Sequence, residues 1–201
     1  MIGLLGLAIV VFASTNIDDI FVLLGFLSDR RIRTRNIVIG QYLGIGVLVA
    51  VSLVASLISV FLSPAYVGLL GTLPILIGAK KLLDLRGATE VETAPDASHG
   101  GALRQIGSVA AVTIANGGDN IGVYTPLFAT QSALDILIMA IVFVAMTALW
   151  IASALRLVGH PSLGLQIRRY GHIAVPILLV GLGIRILYNA GSLTLLGFPL
   201  S

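Results

Sequence analysis

The chain has no cysteine and very little charge. Without cysteine there is no disulfide and no thiolate metal site. Only 10% of its 201 residues are charged, where a soluble domain carries roughly 25%. Hydrophobic residues make up 57% and the mean hydropathy is +1.05. These values describe an integral membrane protein, and the length fits one domain, 1–201. A basic n-region and a small-residue cleavage site are also missing at the N-terminus. The first apolar run is long and carries acids, so no removable signal peptide is expected. The net charge of +3 and pI near 9.6 do not point to nucleic acid as a partner. The basic residues cluster at the ends of apolar runs, as topology signals do.

A membrane-spanning helix needs about 20 mostly apolar residues. Six stretches meet this: 2–27, 36–62, 65–83, 106–130, 133–157 and 172–190. The tail, 192–201, is apolar but short and is left unassigned. Arg30, Arg31, Arg33 and Arg35 follow the first span, Lys80, Lys81, Arg86 and Arg104 follow the third, and Arg156, Arg168 and Arg169 follow the fifth. The alternate loops, 63–64 and 131–135, carry no Lys or Arg. The positive-inside rule then puts the basic loops in the cytoplasm and both termini outside. A polar stretch, 87–101, lies near the midpoint and reads as a flexible cytoplasmic linker.

Two polar stretches interrupt the apolar runs. Asn16-Ile17-Asp18-Asp19-Ile20 lies inside the first span, and Asn116-Gly117-Gly118-Asp119-Asn120 inside the fourth. An Asp at the centre of a span costs about 2.5 to 3.5 kcal/mol on insertion scales, so such a residue is a functional candidate by default. The two stretches align as Asn-x-x-Asp, or one residue out of register as Asp18-Asp19-Ile20 on Asp119-Asn120-Ile121. Pro74-Ile75-Leu76 in the third span is matched by Pro176-Ile177-Leu178 in the sixth. Three spans is an odd number, so a second copy inserts upside down. The expected fold is therefore all-α: six transmembrane helices as two inverted three-helix repeats, 1–86 and 105–201, joined by 87–104, with helices 1 and 4 broken or kinked. In that plan the substrate sits at the midplane between the copies.

Residues three or four apart share a helix face, so Asn16 can point with Asp19, and Asn116 with Asp119 or Asn120. Asp18 lies about 100° round from Asp19 on a regular helix, so one ion is hard to serve from both. Gly117-Gly118 permits unwinding, which frees carbonyl oxygens where the backbone lines a cavity or is buried. Carboxylate, amide and carbonyl oxygens together make an all-oxygen cation site. Protons and metal would compete for the same carboxylates, which is the basis of proton-coupled metal antiport. The candidate ligands are Asn16, Asp18, Asp19, Asn116, Asp119 and Asn120. The plainer alternatives are a polar lock between helices for the acids, helix–helix contacts for the Asn residues and close packing for the glycines. Gln41 and Tyr42 read as interfacial or packing residues, and Thr15, Thr113 and Thr125 as bonded to their own backbone. Arg185 reads as snorkelling or paired. His99, His160 and His172 fall in or beside the cytoplasmic loops.

The run Phe12-Ala13-Ser14-Thr15-Asn16-Ile17-Asp18-Asp19-Ile20-Phe21 resembles the first signature of the bacterial cadmium-resistance transporter (CadD) family, within the lysine-exporter superfamily. Val38-Ile39-Gly40-Gln41-Tyr42-Leu43-Gly44 resembles its second-span signature. Ala115-Asn116-Gly117-Gly118-Asp119-Asn120-Ile121-Gly122-Val123-Tyr124 resembles its fourth-span signature. The resemblance implies six spans in inverted halves and export of divalent cadmium, with zinc or manganese as further substrates. It also places the family's acids on Asp18, Asp19 and Asp119 and its amides on Asn16, Asn116 and Asn120. Cadmium is soft and favours thiolate, whereas an oxygen site discriminates poorly or prefers harder ions such as Mn²⁺. The expected partners are the lipid bilayer, the transported divalent ion and protons; no cofactor is expected, and a homodimer is compatible with the size. A rival reading is export of an amino acid or other small organic solute, which would want a donor for a carboxylate beside the acids. An enzyme is not expected. Gly117-Gly118-Asp119 is a near miss to the Gly-x-Gly-Asp of intramembrane aspartyl proteases, and their Tyr-Asp and Pro-Ala-Leu partners are absent.

Overall fold

The structure, a computed structural model, describes residues 2–57, 61, 64–84, 101–158 and 176–192. Among them every regular element is helical. The first apolar run is broken into α1 (Ile2–Asn16) and α2 (Asp19–Ser28), bent by 58° at the break. Next comes α3 (Thr34–Ser56). The third run opens with α4 (Pro64–Gly68) and a 3-10 turn (Leu69–Gly71) before α5 (Thr72–Asp84). The fourth run is also broken, into α6 (Ala102–Asn116) and α7 (Gly118–Ala129). It is followed by α8 (Ala133–Leu157) and by α9 (Pro176–Asn189). Among the described residues α3 and α8 are each long and apolar enough to cross a membrane, and the bent α1–α2 pair makes a third if the two halves are one span. Both long polar breaks fall where the sequence placed them.

Pro74 sits in the first turn of α5, directly after the 3-10 turn, and Pro176 is the first described residue of α9. α8 starts where Ser132 caps it: its hydroxyl accepts from the Asp135 backbone N–H at 3.2 Å and donates to the Asp135 carboxylate at 2.6 Å. The linker 87–100, the three His residues, Arg86, Arg168, Arg169 and the tail 193–201 lie outside the described residues.

The bundle is apolar outside and polar within. On α8, Leu137, Ile141 and Val144 are exposed, while the buried set includes Asn16, Asp19, Gln41, Thr113 and Asn120. Water would reverse this distribution; a hydrocarbon surround accepts it, because lipid tails are as apolar as leucine. α3 packs along α6 and α7, and α8 packs along α1 and α2. Each long unbroken helix thus lines the broken run of the other half. An aromatic cluster joins the halves. Phe143 of α8 stacks 4.8 Å from Tyr124 of α7 and 5.4 Å from Phe12 of α1, and Trp150 meets Phe12 edge-on at 5.6 Å. Met139 and Met146 pack in this same core, so they are not placed as metal ligands.

Glycines set the closest approaches. A Cβ on Gly40 would lie 2.7 Å from the Ile106 carbonyl, and one on Gly44 would lie 2.6 Å from Thr113 Cβ. Gly40-Gln41-Tyr42-Leu43-Gly44 is therefore a small-x-x-x-small contact that seats α3 on α6. At the α2–α3 turn, Gln105 at the start of α6 accepts from the Asn36 amide at 2.7 Å and donates to the Arg31 carbonyl at 3.2 Å. That bond ties the turn of the first half to the opening of the fourth run. Gly44→Val should therefore push α3 from α6 and destabilise the protein by about 1 to 3 kcal/mol through overpacking. Gly46→Ala, where nothing lies within 4 Å, should be neutral or better. Thermal unfolding in detergent reads the difference, and equal midpoints for the two variants would refute the packing assignment.

Candidate functional site

The two breaks have the same build. In each, an Asn is the last residue of the first half-helix, and an Asp lies in the first turn of the second: Asn16 and Asp19 around one, Asn116 and Asp119 around the other. The Asn-x-x-Asp register aligns the two helix ends, Asn16 and Asn116, although the first break is two residues long and the second is one. Each acid stands where the positive end of a helix dipole favours negative charge. At the first break the Ile17 and Asp18 carbonyls accept from Ile20 and Phe21, so α2 starts from its own turn. The Asn16 carbonyl accepts instead from the Trp150 indole N–H at 2.6 Å. At the second break Leu48 of α3 packs where a Cβ on Gly117 would stand, so a larger residue there would have to displace the end of that side chain.

Asp19 is the centre of one polar cluster and is 2% exposed. Its Oδ1 accepts from Asn116 Nδ2 at 2.7 Å, and its Oδ2 accepts from Gln41 Nε2 at 3.1 Å. Gln41 is held in turn by the Thr113 hydroxyl, which donates to its Oε1 at 2.8 Å. A carboxylate of the first half is therefore gripped from the second half by Asn116 directly and by Thr113 through Gln41. A second cluster adjoins it at Asn16. The Asn16 amide donates to Tyr124 Oη at 2.8 Å, and Asn16 Oδ1 accepts from Asn120 Nδ2 at 3.2 Å. Thr15 and Tyr124 share a further hydroxyl bond at 3.0 Å. Asn120 Oδ1 is buried with no hydrogen-bond partner among the described residues, which leaves an amide oxygen with spare acceptor capacity in the core.

Of the six residues predicted from sequence, the structure brings Asp19 together with Asn116, and Asn16 with Asn120. Asp18 and Asp119 are half-buried and close enough to Asp19 for its charge to feel both of theirs. Among the described residues no group of three His, Asp or Glu side chains is poised as a metal centre; the acids are interleaved with amides instead. Sequence reasoning missed Gln41 and Thr113, which it set down as packing and backbone-bonded residues, and also Tyr124 and Trp150. Two signals were available. Gln41 lies between the glycines of a packing motif, and Thr113, Asn116 and Asn120 recur at helical spacing, with Tyr124 one turn further on.

Apolar helices with hydrocarbon faces outward, folded around buried carboxylate and amide groups, define an α-helical membrane protein with a polar core. The chain belongs to the cadmium resistance transporter family: the model of that family matches residues 12–198, a stretch that includes both breaks. Membership supports metal export in general terms. No curated protein and no solved structure matches the chain.

The Trp150 bond to the freed Asn16 carbonyl has a direct test. Trp150→Phe keeps an aromatic ring against Phe12 and leaves that carbonyl without its donor. Loss of a partner for a buried polar group should lower stability by about 1 to 3 kcal/mol. A lower thermal midpoint in detergent is expected; an unchanged one would show that the break does not depend on this bond.

Proposed function

We propose that the protein exports divalent metal cations from the cytoplasm by proton-coupled antiport, with the Asp19 cluster as the transport site. The observation that carries this reading is a deeply buried carboxylate held by neutral amides from both halves of the chain. Asp18, Asp119, Asn16 and Asn120 complete the oxygen set around it. In the arrangement seen, Asn116 and Gln41 face Asp19 with N–H groups. Half a turn of the Asn116 amide exchanges Nδ2 for Oδ1 and converts a hydrogen-bond donor into a metal ligand. The Thr113 hydroxyl can donate or accept, so it tolerates the same exchange at Gln41. A hard, oxygen-liganded ion such as Mn²⁺ fits this donor set at least as well as Cd²⁺. Protons take the carboxylate oxygens when the ion leaves, because like charges in a dry site oppose full ionisation.

The architecture proposed with it is six spans in two inverted halves, 1–86 and 105–201, in one domain of the inner membrane with basic loops cytoplasmic. Two features support it. The breaks repeat in form, and the long helix of each half packs on the broken run of the other, as two copies related by a two-fold axis in the membrane plane would.

Inside-out vesicles test the function. With an acidic lumen, wild-type protein should accumulate Cd²⁺, Zn²⁺ or Mn²⁺, and a protonophore should stop uphill accumulation. Asp19→Asn, and separately Asp119→Asn, should abolish uptake while the purified variants keep a monodisperse elution profile. Wild-type flux from either variant would overturn the assignment. Uptake of lysine in place of any metal would move the protein to the organic-solute reading.

A further inference from the structure

Eleven of the twelve Lys and Arg residues fall in three stretches of the sequence, 30–35, 80–104 and 156–169, and Arg185 stands apart from them. It stands in α9, one turn before Asn189, and its side chain lines a cavity of about 380 Å³ at the end of the bundle that carries the α7–α8 turn. Thr130 and Gln131 of that turn and Asn189 supply the other polar groups of the wall, and Leu127 and Ile186 supply apolar surface. Among the described residues no carboxylate lines the cavity and no ion pair engages Arg185. The volume falls in the range of small-ligand pockets, about 300 to 1,000 Å³.

A lone guanidinium at the edge of a bilayer needs a counter-charge. Here the described residues beside it are neutral hydrogen-bonding groups, and the guanidinium stays exposed. Such a wall repels a divalent cation, so it does not suit the exported ion. It suits an anion. The planar fork of Arg pairs bidentately with phosphate, while Thr, Gln and Asn side chains serve the remaining oxygens. We propose that the Arg185 cavity binds a phosphate-bearing anion, separately from the Asp19 cluster. The site lies at the end whose turn lacks basic residues. The two sources of that chemistry are a lipid headgroup, whose chains would follow the apolar wall, and free phosphate.

The test uses the full-length protein in an uncharged maltoside detergent. It is titrated in one arm with phosphatidylglycerol and in another with inorganic phosphate, and read by native mass spectrometry and thermal midpoint. Wild type is expected to hold one anion per chain and to gain thermal stability. Arg185→Gln should weaken binding at least tenfold, and Arg185→Lys, which keeps the charge without the fork, should fall between. A response to phosphatidylglycerol alone assigns the site to lipid, and an equal response to inorganic phosphate assigns it to the free anion. The proposal is overturned if neither ligand stabilises wild type, or if Arg185→Gln and Arg185→Lys both bind like wild type.

Discussion

The structure depends on how a carboxylate is kept inside an apolar bundle. Among the described residues Asp19 has no Lys or Arg partner in its hydrogen-bonded shell; two amides hold it, one from its own half and one from the other. A guanidinium would lock such a group with a strong bidentate charge pair. Neutral amides satisfy it more weakly and reversibly, and they can present oxygen as readily as N–H. The same contacts that make the acid tolerable in the core are thus the ones that the proposed exchange with an ion would use.

The rest of the bundle serves that arrangement. Breaking the first and fourth runs sets an Asp in the first turn of each second half-helix, and the freed Asn16 carbonyl is met by Trp150 rather than left bare. Gly40 and Gly44 bring α3 onto α6, which delivers Gln41 to Asp19 and Thr113 to Gln41. The aromatic cluster of Phe12, Tyr124 and Phe143 lies against the second polar cluster, so Tyr124 belongs to both. Packing and polar satisfaction are here one problem, because helices in lipid gain nothing from burying apolar faces and associate through close contact and hydrogen bonds.

Much of this was legible in the sequence. Asp and Asn inside apolar runs marked the site, Gly117 marked one break, and α8 was bounded correctly at 133–157. The Asn-x-x-Asp register was left ambiguous, because a shift of one residue also aligned acids; the helix ends at Asn16 and Asn116 distinguish the two. Hydropathy marks Gln41 as interfacial or packing; its bond to Asp19 follows from how α3 crosses α6, which Gly40 and Gly44 set. Trp150 lies 134 residues from its acceptor, and its partner is a carbonyl that exists as a free group only because α1 ends. No local pattern carries that information.

The most direct measurement is calorimetric titration of the purified protein with Mn²⁺ and Cd²⁺, comparing wild type with Asp19→Asn and following thermal unfolding of both. A site built on Asp19 predicts saturable heat from wild type and none from the variant, with cooperative unfolding retained. Binding of unchanged affinity in Asp19→Asn would contradict the account.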